Sequence, residues 1–187
     1  MKIDYNNDVH GSRQEAQGSD GRLNVSSRSD GRPYYNSRDL KKTFTTVFNH
    51  QSAVAGEFSF YLQNTSTTDD LVIVASGLNA AQNARIKLHL VTGTAAGGSV
   101  LTPLNTNAGS SKAASAACRQ GDSGDAITGL TSAGVLDFVA VRAGGHEEFR
   151  LNETVRLGQN DAIAYEYDEG TTGDFFGVLF MYYETSQ

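Results

Sequence analysis

The chain has four histidines and one cysteine, and the neighbours of these residues determine which chemistry they could support. His146-Glu147-Glu148 comes closest to a metal-binding pattern. On a β-strand His146 and Glu148 share one face while Glu147 points to the other, so only two ligands would meet, whereas metal sites use three or four. No two histidines stand one residue apart, the spacing that His-x-His metal enzymes need. We therefore expect no catalytic metal and no cofactor.

Patterns for nucleophilic catalysis are missing as well. The sequence has no Gly-x-Ser-x-Gly elbow, and Cys118 stands in a small-residue segment and not at a helix start, where thiols are activated. Paired carboxylates occur only as sequence neighbours, which on a strand point to opposite faces and so cannot share acid–base work; they are Asp69-Asp70, Glu147-Glu148 and Asp168-Glu169. These observations predict that the chain is not an enzyme.

Two acid-rich loops leave one ligand question open. Residues 121–125 (Gly-Asp-Ser-Gly-Asp) and 167–174 (Tyr-Asp-Glu-Gly-Thr-Thr-Gly-Asp) offer carboxylate and carbonyl oxygens of the kind that Ca²⁺ binds. Neither has the Asp-x-Asp-x-Asp-Gly spacing of an EF-hand loop. Tight turns are the simpler expectation, and a structural calcium ion is the alternative.

The elements that would position these residues are short strands. Runs rich in β-branched and aromatic residues end at Gly, Asn, Asp or Ser, and in segments such as Phe58-Ser-Phe60-Tyr-Leu62 every second residue is apolar. This pattern predicts an all-β fold in which residues 40–187 form one antiparallel β-sandwich, jelly-roll-like, with an immunoglobulin-like topology as the alternative. The predicted strands are 42–50, 56–64, 70–76, 84–92, 135–142, 146–151, 154–157, 162–168 and 174–184.

Residues 93–134 interrupt this pattern with a long, small-residue-rich section. A connection of this length is usually functional or mobile, and we expect a surface excursion that could reach an adjacent copy. Its alanine-rich part, 112–119, predicts one or two helical turns.

The last predicted strand is apolar on both faces, as expected of a central strand packed between its own sheet and a neighbouring subunit. Phe176, Val178, Phe180 and Tyr182 share one of these faces by alternation. We expect them to form an oligomer interface, and a homotrimer is the favoured assembly.

Residues 1–39 form an extended N-terminal arm with too few apolar residues to build a core. Ser-Asp-Gly-Arg occurs twice in it, ending at Arg22 and at Arg32, and Asp-Gly favours a turn. We expect the arm to be flexible alone and ordered on a partner, which it contacts through Arg22, Arg32, Tyr34 and Tyr35. Low complexity in a flexible tail is the alternative.

Charge restricts the partners. The formal net charge is −6 and the sequence pI about 5.1, while the arm itself carries equal numbers of basic and acidic residues. An acidic body argues against binding of nucleic acid, and no apolar stretch reaches the roughly 18 residues of a membrane span. The N-terminus shows no secretion signal, so we expect synthesis in a cytoplasm and no glycosylation at the sequons of Asn24, Asn64 and Asn152.

The chain resembles small virion proteins of tailed bacteriophages in three segments and in their order. These segments are residues 22–38 of the arm, Gly145-His-Glu-Glu-Phe-Arg-Leu151 and Leu157-Gly-Gln-Asn-Asp-Ala-Ile-Ala-Tyr-Glu-Tyr-Asp168. The resemblance implies a jelly-roll oligomer in the virion, a capsid decoration or cement protein attached to the major capsid protein or a neighbouring virion protein. The alternative is a carbohydrate-binding or host-adhesion module, such as a head fibre or tail adaptor. Tyrosines would then replace the missing tryptophan in sugar stacking; the available ones are Tyr165, Tyr167, Tyr182 and Tyr183.

Overall fold

The computed structural model describes residues 4–6, 13–15, 36–149, 151 and 153–186. The chain divides into two units, Met1–Gly31 and Arg32–Gln187. In the first unit, β1 (Asp4–Asn6) pairs antiparallel with β2 (Arg13–Glu15), which the composition of the arm did not predict. All further elements belong to the second unit.

The second unit is a β-sandwich that opens with one π-helical turn, Asn36–Leu40. All nine predicted strands are present. Among the described residues there is no α-helix, and twelve strands follow the turn: β3 (Thr43–Ala53), β4 (Glu57–Asn64), β5 (Asp69–Ala80), β6 (Ala84–Ala96), β7 (Ser99–Leu101), β8 (Leu104–Asn105), β9 (Ala116–Gln120), β10 (Thr128–Val141), β11 (His146–Phe149), β12 (Val155–Leu157), β13 (Ala162–Gly170) and β14 (Gly173–Thr185).

The strands form two antiparallel sheets with jelly-roll topology. The β14 sheet has the order β11-β5-β14-β3-β8, with β12 also beside β5, and the β13 sheet has the order β10-β6-β13-β4-β9-β7. Without the short strands β7 to β9, the orders become β3-β14-β5-β11/β12 and β4-β13-β6-β10. With β11 and β12 taken together, the chain changes sheet at every step except from β6 to β10, which pair with each other. These are the two interlocked Greek keys of a jelly roll, which confirms the expected fold and excludes the immunoglobulin-like alternative.

Aromatic side chains from both sheets fill the centre of the sandwich. Phe48 of β3 lies 4.5 Å from the Phe60 ring and 5.4 Å from the Phe175 ring, measured between centroids, and Tyr165 lies 5.5 Å from Phe60. All four rings are buried. Gly177 makes room for them, because a Cβ there would stand 2.7 Å from the edge of the Phe48 ring. The alternation seen in the sequence therefore has its cause in this core.

The long section between β6 and β10 corrects one expectation. Residues 112–119 do not form helical turns, since 116–120 form β9, which pairs with β4. The rest of the section runs along the surface and is bonded to the body: β8 pairs with β3, β7 pairs with β9, and the N–H of Ile127 donates to the carbonyl of Phe58. Alanine has a high helix propensity, but unpaired edges of two sheets offer a ladder of hydrogen bonds that this propensity does not outweigh.

Buried Asn64 holds the connection between β4 and β5. Its Nδ2 donates to the carbonyls of Asp69 at 2.9 Å and Leu157 at 2.8 Å, and its Oδ1 accepts the N–H of Ser66 at 2.9 Å. The side chain has no exposed surface. One amide thus satisfies three backbone groups and joins β4 to the end of β12.

Candidate association surface

The outward face of β14 lies in the middle of its sheet, and the strand register defines its neighbours. Phe180 stands between Ala75 of β5 and Thr45 of β3, and Thr45 is opposite Leu104 of β8. The next two rows across the sheet are Gly77, Val178 and Val47, then Asn79, Phe176 and Asn49. We call these ten positions the apolar face.

The apolar face is uncharged and largely exposed, and it ends at β11, where His146 stands opposite Asn79 and Glu148 opposite Gly77. Val47 and Leu104 are each 67% exposed, Phe176 is 44% exposed and Phe180 is 43% exposed. None of the ten positions is charged, although the chain has 36 acidic and basic residues, 21 of them acidic. Exposed apolar side chains that are contiguous on a sheet mark an association surface more often than scattered ones do.

The sequence located part of this face. Phe176, Val178 and Phe180 lie on it as a group, with Val178 half-buried. Tyr182 continues the same side of β14 but offers no exposed surface, and its hydroxyl donates to Glu153 at 2.9 Å. Val47 was not assigned to this face from the sequence, although its alternation with buried neighbours places it there. Leu104 could not be assigned from a sequence pattern, because it stands in the irregular section between β6 and β10. Arg22, Arg32, Tyr34 and Tyr35 lie outside the described residues.

The outward side of the β13 sheet carries ion pairs instead. Asp168 of β13 is paired with Lys87 and with Arg85 of β6, whose Nε lies 2.5 Å from Oδ2, and Arg85 also contacts Glu169 at 2.9 Å. Partial burial raises the pKa of Asp168, but the hydrogen bonds from Lys87 and Arg85 outweigh it and hold the pKa below its ordinary value. On the β14 sheet the corresponding ion pairs lie away from the apolar face, where Arg156 contacts Asp70 at 3.5 Å and Glu184 at 2.8 Å.

Ser132, His89 and Glu166 form a chain of hydrogen bonds on the same side. Nδ1 of His89 lies 2.8 Å from Ser132 Oγ, and Nε2 lies 2.8 Å from Glu166 Oε2. The rings of His89 and Phe58 also form a T-shaped contact. Serine hydrolases use the same order of groups together with oxyanion donors and a substrate recess. Here Ser132 stands exposed on the edge strand, and the hydrogen bonds join β10, β6 and β13.

Cys118 faces the core and is shielded from solvent. Its side chain is 1% exposed, and burial raises the pKa of the thiol to about 12 despite a contact of 3.9 Å with the hydroxyl of Thr46. Arg119 does not activate it, because the guanidinium donates to the carbonyl of Gly97 at 2.7 Å.

The acid-rich loops are held by protein donors. Asp122 and Asp125 exchange backbone hydrogen bonds in a tight turn, and the carboxylate of Asp125 accepts the N–H of Gly98 at 2.9 Å. In the other loop, Asp168 is paired as described and Asp174 accepts the N–H of Ser52 at 3.0 Å. Within the described ranges no group of three or more His, Cys, Asp or Glu could hold a metal ion.

The four tyrosines proposed for sugar stacking are not available for it. Tyr165, Tyr167 and Tyr182 have no exposed surface, and Tyr183 is 4% exposed. This expectation was wrong because these side chains face the core or are covered by the chain itself. The alternation of Ile163, Tyr165 and Tyr167 with Ala164 and Glu166 already contained the signal.

His50 is the buried titratable group with a clear pH consequence. It is 1% exposed, and its Nδ1 lies 2.8 Å from Ser59 Oγ. Gly121 packs on the ring, since a Cβ there would stand 2.7 Å from it. Burial lowers the pKa of His50 from 6.5, although Glu57 and Asp122 favour the charged form.

We expect this burial to appear in the stability of the protein. The unfolded chain protonates His50 more readily than the folded one, so the free energy of unfolding should fall as the pH drops below about 6.5, by at most about 1.4 kcal/mol per pH unit for one proton. Urea unfolding measured at several pH values between 5 and 8 should show that the free energy of unfolding changes less steeply with pH for His50→Gln than for the wild type. Equal slopes would mean that His50 does not titrate differently on folding.

Fold and surface together define a class: an all-β jelly-roll protein that carries an exposed, uncharged apolar patch on the outward side of its β14 sheet. No family model, no curated protein and no solved structure matches the chain. In the part of the chain that the structure describes, no helix is long and apolar enough to cross a membrane.

Proposed function

We propose that the chain is a non-enzymatic virion structural protein, a decoration or cement protein of a phage capsid, and that it assembles as a homotrimer through the apolar face. The observation that carries the proposal is this exposed face on a jelly-roll body. Phe176 and Phe180 gain nothing from contact with water, whereas neighbouring copies would bury them. An acidic body repels its copies at long range, so a contact between copies is best made where no charge stands.

The N-terminal arm is the proposed attachment to the major capsid protein or a neighbouring virion protein. Arg22 and Arg32 each follow an Asp-Gly pair in the sequence and would donate charge-assisted bonds to acidic or carbonyl-rich surfaces, to which Tyr34 and Tyr35 would add contacts. A trimer presents three such arms. Even weak individual contacts then add up to firm attachment on a lattice of repeated sites. The alternative of a sugar-binding module loses its main support with the burial of its four tyrosines.

Deletion of residues 1–35 tests the attachment. The cut is placed before Asn36 because the turn it opens is bonded to the body: the carbonyl of Ser37 accepts Asn107 Nδ2 at 3.1 Å, and that of Leu40 accepts Lys112 Nζ at 2.9 Å. We expect the truncated protein to fold and trimerise but to bind empty heads of its phage at least roughly tenfold more weakly, because the multivalent contacts are lost. Sedimentation of heads with labelled protein measures the binding.

Point variants make the same test more specific. The double change Arg22→Gln and Arg32→Gln should remove part of the affinity, whereas Arg142→Gln, at an exposed position of the body, should not change it. Binding of the truncated protein at wild-type strength would contradict the proposed attachment. Binding to glycans on an array, without binding to heads, would favour the sugar-binding alternative.

A further inference from the structure

The β10 strand forms one edge of the β13 sheet. It runs for 14 residues and, in the described part of the chain, pairs only with β6. Its exposed apolar side chains include Val135 at 50%, Leu136 at 47% and Phe138 at 65%. A long apolar edge strand presents backbone donors and acceptors that another strand can pair with, and proteins usually shorten or cover such edges.

The second half of β10 is the regular part. Irregularities in its pairing with β6 lie between Thr128 and Leu130, between Ser132 and Gly134 and between Val135 and Asp137. From Asp137 to Val141 the register is continuous. Bulges twist an edge away from a partner, so the segment 137–141, which contains the exposed Phe138, is the part suited to pair.

We propose that β10 pairs antiparallel with β10 of a second copy, about a two-fold axis at Phe138, so that the two β13 sheets become continuous. The open edge requires a strand as its occupant, and a two-fold axis perpendicular to the sheet keeps the outward sides of both copies together. In this register the two Phe138 side chains form a cross-strand aromatic pair.

Charge favours a second copy in this register. Asp137 is the only charged residue in Thr128–Val141, and the register places it opposite Val139 of the other copy and not opposite another carboxylate. One hydrogen bond competes with strand pairing at this edge. The N–H of Phe138 donates to Oδ1 of Asp137 at 2.8 Å, and this bond must break before the N–H can pair with another strand. Removal of this competing bond in Asp137→Ala should strengthen the pairing roughly fivefold.

This contact is separate from the proposed trimer contact, since the apolar face belongs to the other sheet. Two-fold pairing at β10 would join trimers into hexamers. It would persist as a dimer in a variant that cannot form trimers.

A cysteine at the axis tests the pairing in the full-length protein. Directly opposed residues in a hydrogen-bonded antiparallel pair have Cα atoms about 5.5 Å apart, which a disulfide can bridge. We expect Phe138→Cys to form a covalent dimer under mild oxidation. The native Cys118 is buried and does not compete. Val100→Cys is the control, because Val100 is 70% exposed on β7 at the opposite edge of the same sheet, and it should yield at least tenfold less dimer.

The remaining outcomes separate the alternatives. Equal cross-linking of the two cysteine variants would overturn the pairing. Loss of head binding in Phe138→Asp, without cross-linking of Phe138→Cys in the purified protein, would assign the edge to a strand of the capsid and so also overturn it. Cross-linking of Phe138→Cys that persists when Phe180→Asp is added would support β10 pairing even if the trimer proposal fails.

Discussion

Replacement of Asn64 by aspartate is expected to lower the free energy of unfolding by about 4 kcal/mol or more at pH 7. The amide donates to the carbonyls of Asp69 and Leu157, and a carboxylate cannot. Both carbonyl oxygens would lose their partner and face a buried negative charge. The single change therefore combines two lost hydrogen bonds with the desolvation of an ion.

The loss should depend on pH in a defined direction. Burial beside two carbonyl oxygens raises the folded-state pKa of the new carboxyl above its unfolded value of about 3.9, so the protein is least affected below that value and loses stability as the pH rises. Denaturant unfolding at pH 4 and pH 7 measures both states. Gln51→Glu, at an exposed position of β3, is the matched control and should change stability by less than about 0.5 kcal/mol. An equal loss at both pH values would show that the site is hydrated.

Phe180→Asp should abolish the trimer. Phe180 is 43% exposed in the single chain, so the change leaves the body folded, but in the proposed trimer it would bury an unpaired carboxylate at a cost of several kcal/mol, or roughly a thousandfold in affinity. Native mass spectrometry at micromolar concentration should show multiples of three chains for the wild type and only one or two chains for the variant.

The control for this variant is Val100→Asp, which introduces the same charge at an exposed position on β7 and should leave the trimer intact. A wild-type protein that stays monomeric, or a Phe180→Asp variant with unchanged mass, would contradict the role of the apolar face. A Phe180→Asp variant that unfolds would show that Phe180 supports the core, and Val47→Asp, at a more exposed position of the same face, would then replace it in the test.

The sequence was most informative where a strand has one face in the core. Ile86 and Leu88 are buried in the core and alternate with Arg85 and Lys87, and such period-two patterns located nine strands and their sandwich because burial itself produces the pattern. Phe58 departs from the pattern expected of it: a register irregularity separates it from Phe60, and its ring packs against His89 on the outward side. The apolar residues of β14 identified its central place for the same reason. Phe176 and Phe180 were found with it, since a strand that is apolar on both faces has more apolar surface than one core can bury.

The rest depended on contacts between distant segments. The strands β7, β8 and β9 have three, two and five residues, too short for any period to appear, and they exist because the edges of two sheets pass nearby. The hydrogen bonds of His89 to Ser132 and Glu166 join residues 43 and 77 positions away, which no local pattern can indicate. Leu104 is part of the apolar face only because the excursion returns to β3.

That return of the excursion also determines which assemblies are possible. On one side of the sandwich, the outermost strands are β7 with three residues and β8 with two, so this side gives little template for another strand. Only the side with β10 has a long edge. Growth into a fibril needs two complementary edges, one for each neighbour, whereas one usable edge is consumed by the first partner. In a protein built this way, strand pairing would end at two chains and would not propagate into amyloid-like aggregates.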